Sequence, residues 1–120
     1  MVKIVEVDGR VEAFVLTFSE GKDYDSVNYL WFAKTYDRFL YVDRIVVDAG
    51  MHGKGIGRKL YQFVFDYAKD KGFSRVTAEI DIEPANPGSL IFHKHFGFEE
   101  VGRQSVADGK KIVSLQSAQV

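Results

Sequence analysis

Three glycines alternate with basic and apolar residues in His52-Gly53-Lys54-Gly55-Ile56-Gly57-Arg58. The chemistry this spacing offers is anion binding. Glycine leaves the backbone bare, so a ligand can approach the amide groups closely. The segment lies between an apolar run, Ile45-Val46-Val47, and the amphipathic stretch Ile56 to Lys71. It therefore reads as a loop that leaves a strand and opens a helix. The first amides of a helix have no partner within it, and that end of the helix dipole favours negative charge. His52, Lys54, Arg58 and Lys59 crowd the first turn, and no acid follows until Asp66. Without a ligand those cations oppose the dipole; a bound polyphosphate reverses the sign of the effect. A glycine loop with solvated lysines accounts for the same residues, so two readings stand on the motif alone.

Neither familiar nucleotide motif fits the loop. A P-loop requires Lys and then Ser or Thr after its last glycine, whereas Ile56 and Gly57 follow Gly55. A dinucleotide fingerprint from Gly53 or Gly55 requires glycine at 58 or 60, where Arg58 and Leu60 stand. Other chemistries are also poorly served. There is no cysteine, hence no disulfide, thiolate metal site or cysteine nucleophile. His93 and His95 are two residues apart, a spacing that points them to different faces of a helix rather than to one metal. No serine sits in a strained-turn nucleophile motif.

The elements that must position the loop follow from length and pattern. A chain of 120 residues suits one domain, taken here as 1–120, with a single core. Net charge is -1, which gives no global argument for nucleic acid or membrane binding. No apolar run approaches a membrane span and no signal pattern opens the chain, so the cytoplasm is the expected location.

Val2 to Val7 and Val11 to Phe18 are β-rich around the turn signal Asp8-Gly9, which predicts a hairpin. Ser19 to Arg38 lacks clean periodicity, although Val27 to Thr35 could form a short helix. Its aromatics read mainly as a satellite core, with Tyr24, Asn28 and Trp31 as candidates for a substrate wall. Phe39 to Val47 is a third strand carrying Asp43 and Arg44 in its middle. Ile56, Leu60, Phe63, Val64 and Tyr67 form a core-facing stripe, stopped by Gly72. Arg75 to Ile82 alternates as a strand. Asn86-Pro87 has the signature of a helix cap and first helical residue, and Gly97 ends that helix. Ser89, Phe92, His93 and Phe96 share one side of it. Phe98 to Gln104 and Lys110 to Gln116 form a last hairpin around Asp108-Gly109. The expected fold is α+β in the order β-β-β-α-β-α-β-β, with one parallel crossover in a mainly antiparallel sheet.

This arrangement resembles the GNAT superfamily of acyl-CoA-dependent N-acetyltransferases. The family loop, Gln/Arg-x-x-Gly-x-Gly/Ala, is matched by His52-Gly53-Lys54-Gly55-Ile56-Gly57, preceded by Val47-Asp48. Its second signature is matched by Asn86, Ser89, Phe92-His93 and Gly97-Phe98. Val42 to Val47 and Phe98 to Gln104 resemble an uncharacterised bacterial branch of predicted acetyltransferases. His52 replaces the usual Gln or Arg. His93 stands where many members have a Tyr that protonates the leaving thiolate, and a His at this position resembles the phosphinothricin-type acetyltransferases. Family members also begin with a strand and two helices on the acceptor side, whereas this chain starts at what resembles the second strand. The expectation is a truncated sequence or a wall supplied by another subunit, and a homodimer that covers the apolar sheet left bare.

The resemblance implies an N-acetyltransferase that uses acetyl-CoA and acts on a primary amine of a small molecule or peptide. It implies that backbone groups of Ile45, Val46 and Val47 align the pantetheine, and that amides from His52 to Arg58 hold the pyrophosphate. Lys54, Arg58 or Lys59 would meet the other phosphate. An amide at Val46 or Val47 would polarise the thioester carbonyl, worth roughly 3 kcal/mol. Asn86, Ser89 and Phe92 complete the cofactor side. Asp43 is the candidate general base, with Glu79 and Asp81 as rivals; a structural strand acid is its bland alternative. His93 is the candidate general acid, with a core histidine as its alternative. A non-catalytic acyl-CoA-binding module and a structural subunit with an unshielded sheet edge are the competing functions.

Overall fold

The structure is a computed structural model that describes residues 1–48, 50, 53–83 and 85–120. Its elements are β1 (Val2–Val7), β2 (Arg10–Ser19), α1 (Val27–Thr35), β3 (Leu40–Val47), α2 (Ile56–Asp70), β4 (Arg75–Glu83), α3 (Pro87–His95), β5 (Glu99–Val106) and β6 (Lys111–Gln119). The six strands form one sheet in the order β1-β2-β3-β4-β6-β5. Among the described residues only β3 and β4 run parallel; every other neighbouring pair of named strands is antiparallel. The α+β class and crossover match the expectation, with one addition. The expected order left out α1, which stands between β2 and β3.

Residue chemistry explains most of these choices. Asp8 and Gly9 both take positive φ, as a two-residue hairpin turn requires. Asn86 caps α3 by accepting a hydrogen bond from the Ser89 amide (3.2 Å), and Pro87 follows at the first helical position. α1 starts from Ser26, whose hydroxyl accepts weakly from the Tyr29 amide.

Alternation along β3 separates the two layers of core. Leu40 and Val42 face α2 and pack with Ala13, Val15, Leu60 and Val64. Phe39 and Tyr41 face the other way and pack with Tyr29 and Phe32 of α1 and with Val113 and Leu115 of β6. The sheet face expected to be bare is thus covered by the chain's own α1. That removes the physical ground on which a second copy was expected there. Exposed apolar side chains lie instead on the edge strand β1, at Val2 and Ile4.

Two irregularities open the sheet where a site can form. In the register of β2 with β3, Leu16 faces Arg44 and Thr17 faces Val42, so Asp43 is the extra residue of a β-bulge. The bulge shifts the alternation, so Ile45 and Val47 join Leu40 and Val42 against α2. Parallel pairing of β3 with β4 holds at Leu40↔Val76 and Tyr41↔Thr77, and no further pair forms among the described residues. Beyond that point the two strands diverge.

Candidate active site

The glycine loop forms one end of the opening. Gly55 is the N-cap of α2 in the left-handed conformation (φ 74°), with no side-chain cap. The first helical bond runs from the Lys59 amide to the Gly55 carbonyl (3.1 Å). The amides of Ile56, Gly57 and Arg58 therefore lie in the turn whose donors a helix cannot satisfy. No acid occupies that turn. A cavity of about 560 Å³ opens here, lined by Ile45, Val47, Gly53, Gly55, Ile56, Gly57, Arg58 and Phe92. At Gly57 a Cβ would sit 3.5 Å from the Phe92 ring, an ordinary van der Waals contact, so α2 meets α3 there without requiring a glycine.

A second cavity of about 250 Å³ continues inward and shares Ile45 with the first. It is lined by Val42, Asp43, Arg44, Tyr61, Ala78, Glu79, Ser89 and His93. Two tyrosine–carboxylate pairs govern its charge. The Tyr24 hydroxyl donates to Asp43 Oδ1 at 2.6 Å. That bond, more than burial, lifts the Tyr24 pKa to about 12 and keeps the hydroxyl a donor. The Tyr41 hydroxyl donates to Glu79 Oε2 at 2.7 Å. Burial raises the Glu79 pKa; the Tyr41 bond and a hydrogen bond from Asn28 oppose it, and the Asp43 charge adds to it.

His93 is buried, and both ring nitrogens are engaged. Nδ1 lies 2.7 Å from the Ser89 carbonyl, which can only accept, so Nδ1 carries the proton. Nε2 then accepts from the Tyr61 hydroxyl at 2.6 Å. Burial lowers the His93 pKa against the pull of the Ser89 carbonyl, so the neutral ring is favoured. The pair ties α3 to α2 beside Ile45.

Other expected residues fall in different places. His52 lies outside the described residues. Val46 is exposed, and neither it nor Lys54 lines either of these two cavities. Asn86 serves its helix cap, while Phe92 lines the outer cavity and Ser89 the inner one. Of the three acceptor-wall candidates, Tyr24 reaches Asp43 and Asn28 reaches Glu79. Trp31 does not reach the site. It packs edge-on against Phe32 (5.3 Å) and against Gly102 of β5, because its place on α1 directs the ring over the far strands. Asp81 pairs with Lys111 at 3.6 Å. Tyr41 and Tyr61 were missed by sequence reasoning. Tyr61 belongs to the buried stripe Leu60, Tyr61, Val64, Ala68, so a phenol on a core-facing position was the available signal.

Comparison with known sequences gives this geometry a family. Residues 4–98 match the acetyltransferase (GNAT) family. The chain belongs to the GNAT family. A stretch of 59 residues is 37% identical to an uncharacterized N-acetyltransferase of Methanocaldococcus jannaschii; it covers 49% of this chain and 25% of that protein. The GNAT fold is also shared with the ribosomal-protein-S18-alanine N-acetyltransferase from Escherichia coli, at TM-score 0.73 and 16% identity over 100% of this chain and 68% of that one. The NatC complex bound to Gag peptide and CoA is similar at TM-score 0.70 and 13% identity, over 92% of this chain and 62% of that one. The chain thus spans a quarter of its curated relative and about two thirds of these structural neighbours.

Proposed function

We propose that this GNAT chain moves an acetyl group from acetyl-CoA to a primary amine of a small molecule or peptide. The observation that carries the reading is the pair of cavities joined at Ile45 where β3 and β4 diverge. An anion-accepting helix start lies at one end and a carboxylate pair at the other.

The residues present fit coenzyme A. Ile56, Gly57 and Arg58 offer amides and one guanidinium to a pyrophosphate, and Ile45, Val47 and Phe92 give an apolar wall suited to pantetheine. Bound acetyl-CoA would supply the acetyl thioester; the C–N bond to the amine would form as the C–S bond breaks, and CoA would leave as the thiol with the proton that the acylated nitrogen sheds.

Asp43, hydrogen-bonded by Tyr24, attracts the ammonium form of an acceptor. Glu79 takes a proton from that ammonium and leaves the amine nucleophilic. Its raised pKa brings it nearer the working pH of a general base, which is why we assign the role to Glu79 ahead of Asp43. His93 keeps its proton on the Ser89 carbonyl, so we assign it to holding α2 against α3 and not to proton delivery.

Calorimetry with acetyl-CoA and CoA, followed by thiol release with a panel of amines, tests the reading. Binding and turnover are expected. Glu79→Gln should lower kcat by roughly a hundredfold or more with CoA affinity unchanged. Asp43→Asn should mainly raise KM for the amine. Binding without turnover on any amine would leave an acyl-CoA-binding module, and no binding at millimolar CoA would overturn the proposal.

A further inference from the structure

Sheet register places Glu79 in a cross-strand row that ends under α1. Glu79 of β4 pairs with Leu115 of β6, and Leu115 pairs with Gly102 of β5. The next row runs Asp81, Val113, Gln104. Residues opposed across antiparallel strands share a face, and Val113 and Leu115 pack in the core layer with Tyr29 and Phe32 of α1. Helix α1 crosses both rows. Trp31 sits over Gly102. Asn28, three residues earlier on the same side of the helix, accepts a hydrogen bond from Gln104 Nε2 at 3.0 Å. Its amide also reaches Glu79.

An asparagine amide has two unlike ends: the oxygen only accepts and the NH2 only donates. Gln104 donates to the oxygen, which turns the NH2 toward Glu79. An ionised carboxylate only accepts, so this setting serves it, whereas the reversed amide would put oxygen against oxygen. Tyr41 donates to Glu79 Oε2 at 2.7 Å from the β3 side. Gln104 itself lines neither cavity of the site. We infer that Gln104 is a positioning residue for the reaction: from outside the cavity it holds the Asn28 amide in the one setting that donates to Glu79. The inference rests on the reading of Glu79 as general base above.

A donor to the charged form of an acid favours that form. Loss of the Asn28 donor therefore lets Glu79 keep its proton to higher pH. Asp43 and Arg44 of β3 and His93 of α3 line the same cavity. Tyr24 and Tyr61 feel the Glu79 charge, and Asp81 on its own strand pairs with Lys111. The substitutions below alter none of these groups.

The test follows the Glu79 carboxyl signal by carbon-13 NMR across pH on the full chain, with Glu79→Gln to assign it. Gln104→Met keeps the side-chain length and removes the donor. It should raise the Glu79 midpoint by about 0.5–1 pH unit, part of what a hydrogen bond to a charged group is worth. In an Asn28→Ala background the same substitution should move the midpoint by less than about 0.2 pH unit, because its effect passes through Asn28. CoA affinity within twofold of the original shows that each variant is folded. With the amine that the panel turns over fastest, the acid limb of the kcat/KM profile should move up with the midpoint while the plateau holds. An unmoved midpoint, or equal shifts in both backgrounds, would overturn the role of Gln104 and leave the acetyltransferase reading standing. A midpoint that moves without the acid limb would overturn Glu79 as the base and this role with it, and absence of turnover on every amine would overturn both.

Discussion

Gly102 of β5 takes part in one of the contacts that tie α1 to the sheet. A Cβ built there would lie 2.5 Å from Trp31 Cζ2, 2.9 Å from Cη2 and 3.2 Å from Cε2. Carbon atoms prefer about 3.5–4.0 Å, so Gly102→Ala must push the indole back by roughly 1 Å. The ring has little room to yield, because fully buried Phe32 packs against it with centroids 5.3 Å apart. Overpacking of this kind costs about 1–3 kcal/mol. Replacing a strand glycine returns about 0.5–1 kcal/mol through the unfolded chain, which leaves a net loss of up to about 2.5 kcal/mol. The displacement should be felt on the acceptor side first. Asn28 of α1 accepts a hydrogen bond from Gln104 (3.0 Å), two residues beyond Gly102, and also reaches Glu79. Urea unfolding should therefore show a lower midpoint, while calorimetry shows CoA affinity unchanged within twofold. Adding Trp31→Leu should recover stability, so that the double variant loses less than the sum of the two single changes. A Gly102→Ala protein as stable as the original, or strictly additive losses, would refute the reasoning.

Further expectations concern the buried titratable groups and the loop. His93 is held below its ordinary pKa by burial, whereas the unfolded chain takes that proton near about 6.5. Its contribution to stability is whole above that pH and falls as the pH drops toward the folded value. Glu79 has the opposite sign, because burial raises its pKa: its contribution is whole below the ordinary carboxyl range and is lost as pH rises through the folded value. Urea unfolding across pH 4.5 to 8 should then show a steeper acid-side loss in Glu79→Gln than in the original, at up to about 1.4 kcal/mol per pH unit for each proton; parallel curves would contradict it. Tyr61→Phe leaves His93 Nε2 without its donor and should cost about 1–3 kcal/mol in the same assay. A loss under about 0.5 kcal/mol would mean that the clamp is not structural. A Cβ at Gly55 would meet no atom within 4 Å, so the cost of Gly55→Val is at least the conformational one, about 1–2 kcal/mol at φ 74°. It should leave a folded domain that no longer binds CoA by calorimetry, and unchanged affinity would rule out the loop as the anion site.

Local chemistry made much of the fold legible. Strand β1 and the Asp8-Gly9 turn, the stripe of α2, and α3 between Asn86-Pro87 and Gly97 all depend on residues close in sequence. The glycine loop was legible for the same reason, since an anion site at a helix start needs only a few consecutive residues. α1 was harder to see because its buried residues, Tyr29 and Phe32, sit among exposed Val27 and Leu30, so no clean apolar stripe appears. Trp31 resembled a substrate aromatic until the sheet brought Gly102 beneath it.

By itself the sequence determined an α+β fold resembling the GNAT family, with a glycine loop before α2 whose unpaired amides suit an anion. Only the tertiary structure decided what faces that loop across the sheet. The bulge at Asp43 exists because β2 and β3 pair in one register, and register is a property of two strands together. The Tyr24–Asp43 and Tyr41–Glu79 pairs join residues 19 and 38 positions apart. His93 finds Tyr61 across 32 positions. Hydrogen bonds of such span form only after helices and strands have packed, which is why the anion end of the site could be read residue by residue and the carboxylate end could not.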